Sequence, residues 1–415
     1  MIYGAYYTIK QAVQPLNLYA RAVGQIAGLD CFPLNKSYIN RHIRASAEFT
    51  ERLTRRYENP GFRLDSTVID GKTVSVEEKV VISKPFCDIV HFKRAGAFND
   101  PPVLMVAPMA GHFASLTRFT IQEFLPDHEV YVTDWKSARD VPLSKSDFGC
   151  EDFMDCIMDA LRFMGPGSHL MSACQPCPWV LTAAAVMAMD NDPALPASMT
   201  LMAGPVDPRI NPPKMLKHAP RLSPALLDKL LIDRVPTRFP GRGRRVYAGF
   251  RQLSMFMAMN VGLHLKKHLE FYRNLLKNNE SEAYVHRDFY DNYMAVMDGT
   301  ATFFHDTVKR IFYECHLPEG KMTYRGKHVD PGSIKKTALL TVEGENDEFC
   351  PPGQTSVAHD ICSNIPKSKR GHHLQEGVGH YGVFNGSKFK AHVAPLIKQF
   401  MRAAAAGQPI PVQLS

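Results

Sequence analysis

Between residues 102 and 204, short apolar runs alternate with segments of helical periodicity, and no other feature restricts the possible folds as much. The apolar runs are PVLMVAP (102–108), EVYVTDW (129–135), SHLMSA (168–173) and SMTLMAG (198–204). Helices are predicted between them, near 114–125, over 151–165 and from about 176 to 190. In the second of these, Phe153, Ile157, Leu161 and Met164 recur at helical spacing and give one apolar stripe. Strands this short and this apolar, separated by helices, are buried on both faces. That pattern specifies a mostly parallel sheet with helices packed on either side.

The alternation stops at Gly204-Pro205 and resumes at KKTALLTVEG (335–344), which predicts four segments. Residues 1–65 form a helical extension with breaks at Pro15 and Asn59-Pro60. Residues 66–205 are the first part of the core, opening with two β-rich runs, TVSVEEKVVI and DIVHFKR. Lys84-Pro85-Phe86 separates these runs, as expected for antiparallel strands at a sheet edge. Residues 206–334 read as an inserted cap, with the basic turn PGRGRRVYAGF (240–250) and the methionine-rich run LSMFMAMN (253–260). Thioethers suit an adaptable apolar surface, although a methionine stripe is more often ordinary core. Residues 335–415 complete the core. A helix is predicted near 354–363, then a strand GHHLQEG, then a terminal helix whose Phe389, Val393, Leu396 and Phe400 share a face, with Pro395 starting or kinking it.

A formal charge of +8, from 49 basic and 41 acidic residues without like-charge blocks, gives no footprint for nucleic acid. Nine cysteines at irregular spacing are not a disulfide framework, so a reducing cytoplasm is the expected compartment. The N-terminal stretch lacks the pattern of a signal peptide, and no run approaches the roughly 18–20 apolar residues of a membrane span. The expectation is a soluble chain, or one held at a surface by its own folded face.

Chemistry concentrates in HLMSACQPCPWVLTAAAV, where an apolar strand runs into Cys174 and a helix follows at once. A nucleophile elbow holds its nucleophile on a strained turn with small residues two before and two after, because neighbouring backbone comes close. Here the flanks are Ser172 and Pro176, and proline is tolerated in the first turn of a helix. The helix N-terminus favours negative charge and is expected to promote the thiolate. Taken alone, Cys174 reads more readily as simply one of nine buried cysteines. The order nucleophile, acid, histidine supplies the rest: Asp347 follows the strand TALLTVEG in GEND, and His380 follows HHLQEG in the glycine-flanked loop GVGHYG. Asp347, beside Glu345 and Glu348, also reads as part of a solvated acidic loop. Asp134, His112, His372 and His373 compete with His380 but lack its position in that order. An oxyanion hole is expected from the backbone N–H of Gln175 and of Met109, with Ala110 as the near alternative to Met109. No cofactor and no metal is called for. The pattern predicts an α/β-hydrolase fold performing acyl transfer through a thiol.

The segments KPFCDIVHFKR, APMAGHFASL, VYVTDWKSAR, SACQPC, PGRGRRVYAGF, TVEGENDE and GHYGVF resemble the intracellular polyhydroxybutyrate depolymerases, from the N-terminal region through most of the chain. In that family a cysteine replaces the usual serine. The resemblance implies Cys174 as nucleophile, Asp347 as acid, His380 as base, and amorphous polyhydroxyalkanoate granules as the substrate and partner. Three rivals stay open at this point, one of them a non-catalytic granule-surface protein in which the three residues do no chemistry. Polyhydroxyalkanoate synthases use the same three residue types with an elbow of the form G-x-C-x-G, whereas this chain has S-x-C-Q-P. Cys174-Gln175-Pro176-Cys177 is also a C-x-x-C at a helix start, as in thioredoxin-like proteins, and Cys177 is positioned to close a disulfide on the nucleophile.

Overall fold

The structure is a computed structural model that describes residues 2–32, 37–213, 222–259 and 261–410. Asn260, the last residue of the methionine-rich run, and 214–221 of the expected cap lie outside the described residues. The centre is a nine-stranded sheet: β1 (Ser66–Ile69), β2 (Lys72–Ser83), β3 (Cys87–Arg94), β4 (Pro102–Val106), β5 (Glu129–Trp135), β6 (His169–Ala173), β7 (Ser198–Met202), β8 (Ala338–Gly344) and β9 (Arg370–Gln375). Across the sheet the order is β1-β2-β3-β5-β4-β6-β7-β8-β9. The three pairings from β1 to β5 are antiparallel, and every pairing from β5 onward is parallel. This strand order, with its single crossing of β4 and β5 and parallel strands thereafter, is that of the α/β-hydrolase fold.

The four parallel strands β4, β6, β7 and β8 are buried along nearly their whole length, as uniformly apolar runs between two helical layers must be. Helix α6 (Cys177–Met189) has apolar residues on all sides and is buried on all sides, with Trp179, Val180 and Leu181 inaccessible. Helices α4 (Arg118–Phe124) and α5 (Cys150–Met164) precede it; α5 turns Phe153, Ile157 and Leu161 inward, and its Phe153 ring stacks on Trp135 with centroids 4.3 Å apart.

The N-terminal segment forms α1 (Ile2–Ala12), α2 (Gln14–Ala27) and α3 (Tyr38–Thr54), with Pro15 in the first turn of α2. Asn17 Nδ2 donates to the Glu51 carbonyl at 2.7 Å, tying α2 to α3. The buried Tyr3 hydroxyl donates to Asp298, linking α1 to the segment between β7 and β8. That segment contains α7 (Gly249–Met259), α8 (Val261–Leu276) and α9 (Glu280–Tyr293) among its described residues, and Arg52 of α3 pairs with Asp291 of α9 at 2.9 Å. The methionine run lies on α7, where Leu253 packs on Tyr290 and Tyr293 while Met255 is exposed. The last helix, α10 (Ala394–Ala405), begins with Pro395 in its first turn and follows a π-helical turn at Phe389–Val393. The helix expected near 354–363 is only Ala358–Ile361. Its missing first turn has a physical reason: the buried Glu343 carboxylate takes the N–H groups of Gly353, Thr355 and Ser356 at 2.7–2.9 Å and holds that stretch in another shape.

Gly204, just after β7, shows how closely the layers meet, because a Cβ there would lie 2.2 Å from the Cys177 Cβ and 3.0 Å from the Cys174 carbonyl oxygen. Both are fixed groups at the start of α6. Gly204→Ala is expected to destabilise the protein by on the order of 3 kcal/mol, read as a lowered melting temperature. Unchanged melting would contradict this packing.

Candidate active site

Cys174, the 107–112 loop, Asp347 and His380 follow β6, β4, β8 and β9 respectively, so all four converge on the carboxyl edge of the parallel strands. Open α/β sheets bind ligands at that edge. At the end of β6 the chain must reverse into α6 within three residues. Cys174 accomplishes this with φ of 66°, a left-handed backbone that costs an L-residue about 1–3 kcal/mol. The strain is held by main-chain bonds: the Cys174 N–H donates to the Met202 carbonyl at 2.8 Å, and the Cys177 N–H donates to the Cys174 carbonyl at 3.2 Å. The side chain is thereby lifted off the strand, and Cys174 is half-buried while Ser172 and Cys177 on either side are inaccessible.

Asp347 and His380 are 4% and 3% exposed, so their pairing is electrostatically strong. His380 Nδ1 lies 2.8 Å from Asp347 Oδ2 and 3.0 Å from Oδ1. Oδ1 also accepts the N–H groups of Phe349 and Cys350, each at 2.8 Å, which orients the carboxylate. With Nδ1 occupied, the hydrogen bond between His380 and Cys174 falls to Nε2. Burial alone would lower the imidazole pKa. The negative charge of Asp347 and of Cys174, with their hydrogen bonds, outweighs it and holds the pKa well above the ordinary histidine value. Three of the expected residues, Cys174, Asp347 and His380, are thus brought into one hydrogen-bonded chain.

The competing residues are engaged elsewhere. His112 Nε2 is 3.1 Å from the Tyr293 carbonyl, and burial pushes its pKa down to about 4. His372 lies 2.9 Å from Thr341 Oγ1, and His373 lies 3.2 Å from Gln375. Asp134 is raised to about 6 by burial and then by Asp88, its cross-strand partner, and Glu78. Cys177 is packed against Ser172 Oγ at 3.3 Å, and burial pushes its thiol up to about 12. A thiol held protonated in this way is a poor partner for disulfide exchange, which disfavours the C-x-x-C reading.

The loop after β4 is tightly fixed. The Ala107 N–H donates to Thr133 Oγ1 at 3.0 Å, Trp135 Nε1 donates to the Ala107 carbonyl at 2.7 Å, and the Met297 N–H donates to the Gly111 carbonyl at 2.8 Å. Gly111, at φ of 89°, makes the turn that meets Gln252 of α7. The Met109 N–H, expected at the oxyanion hole, points at Gln175 and donates to its side-chain Oε1 at 3.2 Å. The sequence marks Gln175 only for its main-chain N–H; the side-chain partnership with Met109 comes from the fold. Tyr381 and Phe349 were also missed, although each is adjacent in sequence to the histidine loop or the acid loop. The ring of Phe349 packs 5.0 Å from that of His380, and Tyr381 hydrogen-bonds Tyr293 of α9. Both line a cavity of about 750 Å³ with Phe256, Phe271, Phe289 and Tyr290.

The raised pKa of His380 has a sign that can be checked. Its folded value lies above its unfolded value of about 6.5, so the stability it contributes is fully present below that pH and is lost as pH rises through the folded value. Asp347→Asn removes the leading stabilising charge. The stability gap between wild type and Asp347→Asn is therefore expected to narrow as the solution is made alkaline, measured by urea melts across pH. A gap that widens with pH would contradict the charge assignment.

Residues 203–405 match the family model described as PHB de-polymerase C-terminus. No curated protein matches the chain. Among solved structures the chain is similar to the 2-hydroxy-6-oxo-6-phenylhexa-2,4-dienoate hydrolase of Rhodococcus sp. strain RHA1, at 14% identity and TM-score 0.43, over 80% of this chain and 100% of that one. It is also similar to the naproxen esterase of Bacillus subtilis, at 12% identity and TM-score 0.41, over 87% and 96% of the two chains. A thermophilic esterase of Thermogutta terrifontis is 11% identical with TM-score 0.39, over 82% and 97%. The chain is thus a carboxylic ester hydrolase whose strand order is that of the α/β-hydrolase fold and whose residues 203–405 are similar to the C-terminal region of the PHB depolymerases.

Proposed function

We propose that the protein hydrolyses the ester bonds of amorphous polyhydroxybutyrate, releasing 3-hydroxybutyrate and oligomers, with Cys174 as nucleophile, His380 as base and Asp347 as its orienting acid. The observation that carries the reading is the left-handed Cys174 at a strand-to-helix turn, hydrogen-bonded to a histidine whose other nitrogen is held by a buried carboxylate. The match of residues 203–405 to the PHB depolymerase C-terminus supports the polymer as substrate.

In the proposed reaction His380 takes the proton of the Cys174 thiol, a role that its elevated pKa favours. Thiolate sulfur attacks the ester carbonyl, and the carbonyl electrons move onto oxygen, where main-chain N–H groups of Gln175 and Met109 stabilise the charge. Collapse expels the alkoxide of the outgoing chain, which takes the proton from His380 and leaves a hydroxyacyl thioester. Water, deprotonated by His380, then attacks the thioester and returns Cys174 with the free acid. Residues 206–334 serve as a cap in this reading. The aromatic cavity between α7–α9 and the loops bearing Asp347 and His380 receives an apolar chain segment, and the protein works at the surface of cytoplasmic granules. Among the described residues no helix is long and apolar enough to cross a membrane.

The test is release of soluble hydroxyacid from amorphous polyhydroxybutyrate granules by wild type and Cys174→Ala, with hydroxybutyryl-CoA as a parallel substrate. Loss of release in the variant is expected. CoA release without polymer cleavage would instead favour a synthase-like acyltransferase. Phe289→Ala, in the cavity wall, is expected to raise KM for hydroxybutyrate oligomers about tenfold, from the loss of roughly 1.5 kcal/mol of apolar contact. It should leave a short soluble ester unaffected, and an equal change on both substrates would remove the cavity from the account.

A further inference from the structure

The nucleophile turn contains one polar side chain that the mechanism above does not use. Gln175 Oε1 accepts the Met109 N–H at 3.2 Å, while its Nε2 is buried and has no protein partner among the described residues. Which end of the amide faces Met109 is fixed by chemistry, since an N–H needs an acceptor and the amide NH2 is only a donor. An internal carbonyl oxygen therefore occupies an N–H group that the substrate's carbonyl oxygen needs. At the same time a buried NH2 group goes unpaired, which leaves its desolvation uncompensated.

One of the two partners must yield when substrate arrives. The loop carrying Met109 is held by Thr133, Trp135 and Met297 through the bonds described above, and Met109 itself is buried. Gln175 is attached only through rotatable side-chain bonds at the edge of a half-buried site. Releasing its 3.2 Å hydrogen bond costs little, because an incoming carbonyl oxygen restores the bond at the same N–H.

We propose that Gln175 is a mobile third member of the oxyanion site. Its Oε1 occupies the Met109 N–H in the free enzyme, is displaced by the substrate carbonyl oxygen, and the amide then turns its unpartnered Nε2–H2 onto that oxygen. The pairing missing from the free enzyme is completed where charge develops, so the gain falls on the transition state more than on substrate binding. This inference rests on the reading of Cys174 as nucleophile.

The experiment is steady-state kinetics on a soluble hydroxybutyrate oligomer for wild type, Gln175→Ala and Gln175→Glu, with Cys174→Ala alongside and circular dichroism to check folding. Gln175→Ala vacates the Met109 N–H and removes the donor, so KM is expected to fall or hold while kcat drops about 10²-fold. Gln175→Glu keeps the volume and the acceptor but replaces the donor with a negative charge, so kcat is expected to drop by at least as much. Should Gln175→Ala fail to fold, Gln175→Glu carries the test alone. Wild-type kcat in Gln175→Glu would overturn the proposal and leave Gln175 as a brace for the loop, as would unchanged kcat and KM in a folded Gln175→Ala. Activity retained in Cys174→Ala would overturn the nucleophile reading and this one with it. Activity lost there, with the Gln175 variants at wild-type rates, overturns this one alone.

Discussion

The candidate site depends on a backbone conformation that its residue does not favour. Cys174 sits at φ of 66° because β6 ends beneath a helix that must start at Cys177, leaving no room for a relaxed turn. Three neighbours accept the consequence. Ser172 is inaccessible, Cys177 is sealed by its own packing, and Gly204 carries no Cβ because one would overlap the Cys177 side chain. A sheet of parallel strands with both faces covered supplies the rigidity that keeps such a turn strained, and the turn in turn aims the thiol away from the core toward His380.

The second dependence is electrostatic. Asp347 and His380 lie under the segment between β7 and β8 with almost no exposure, and their interaction is little screened there. The carboxylate is not left to the histidine alone: two main-chain N–H groups hold Oδ1, and Glu343 holds the next stretch of the same loop. Two buried carboxylates thus shape one loop, one supporting it and the other facing the imidazole. Phe349 and Tyr381 extend directly from these loops into the aromatic cavity, so the groups that would do chemistry and the groups that would hold an apolar chain share the same segments.

Much of this was legible in the sequence, for reasons particular to the residues. Helix α6 reads as apolar on every side and is buried on every side, and the runs at 102–108, 129–135, 168–173 and 198–204 form neighbouring strands of the sheet. The chain order of Cys174, Asp347 and His380 was enough to nominate a triad, because strand ends in this architecture meet at one edge. Side-chain partnerships across that edge were not legible. Nothing in VAPMAGH or SACQPC says that the Gln175 amide faces the Met109 N–H, since the loops are separated by 66 positions. The helix expected near 354–363 is shorter in the fold for a related reason: N–H groups of its first turn are claimed by Glu343, a residue whose own strand reads as uniformly buried. Periodicity reports which face is inside and is silent on which buried polar group takes which hydrogen bond.

In the proposed reaction the thiol of Cys174 carries the acyl group. This role is tested most directly by quenching the enzyme in acid during turnover of a short hydroxybutyrate ester and measuring intact and peptide masses. A transient hydroxybutyryl adduct is expected on the peptide containing Cys174, removed by hydroxylamine and absent from Cys174→Ala. An adduct on another residue, or full turnover in Cys174→Ala, would contradict it.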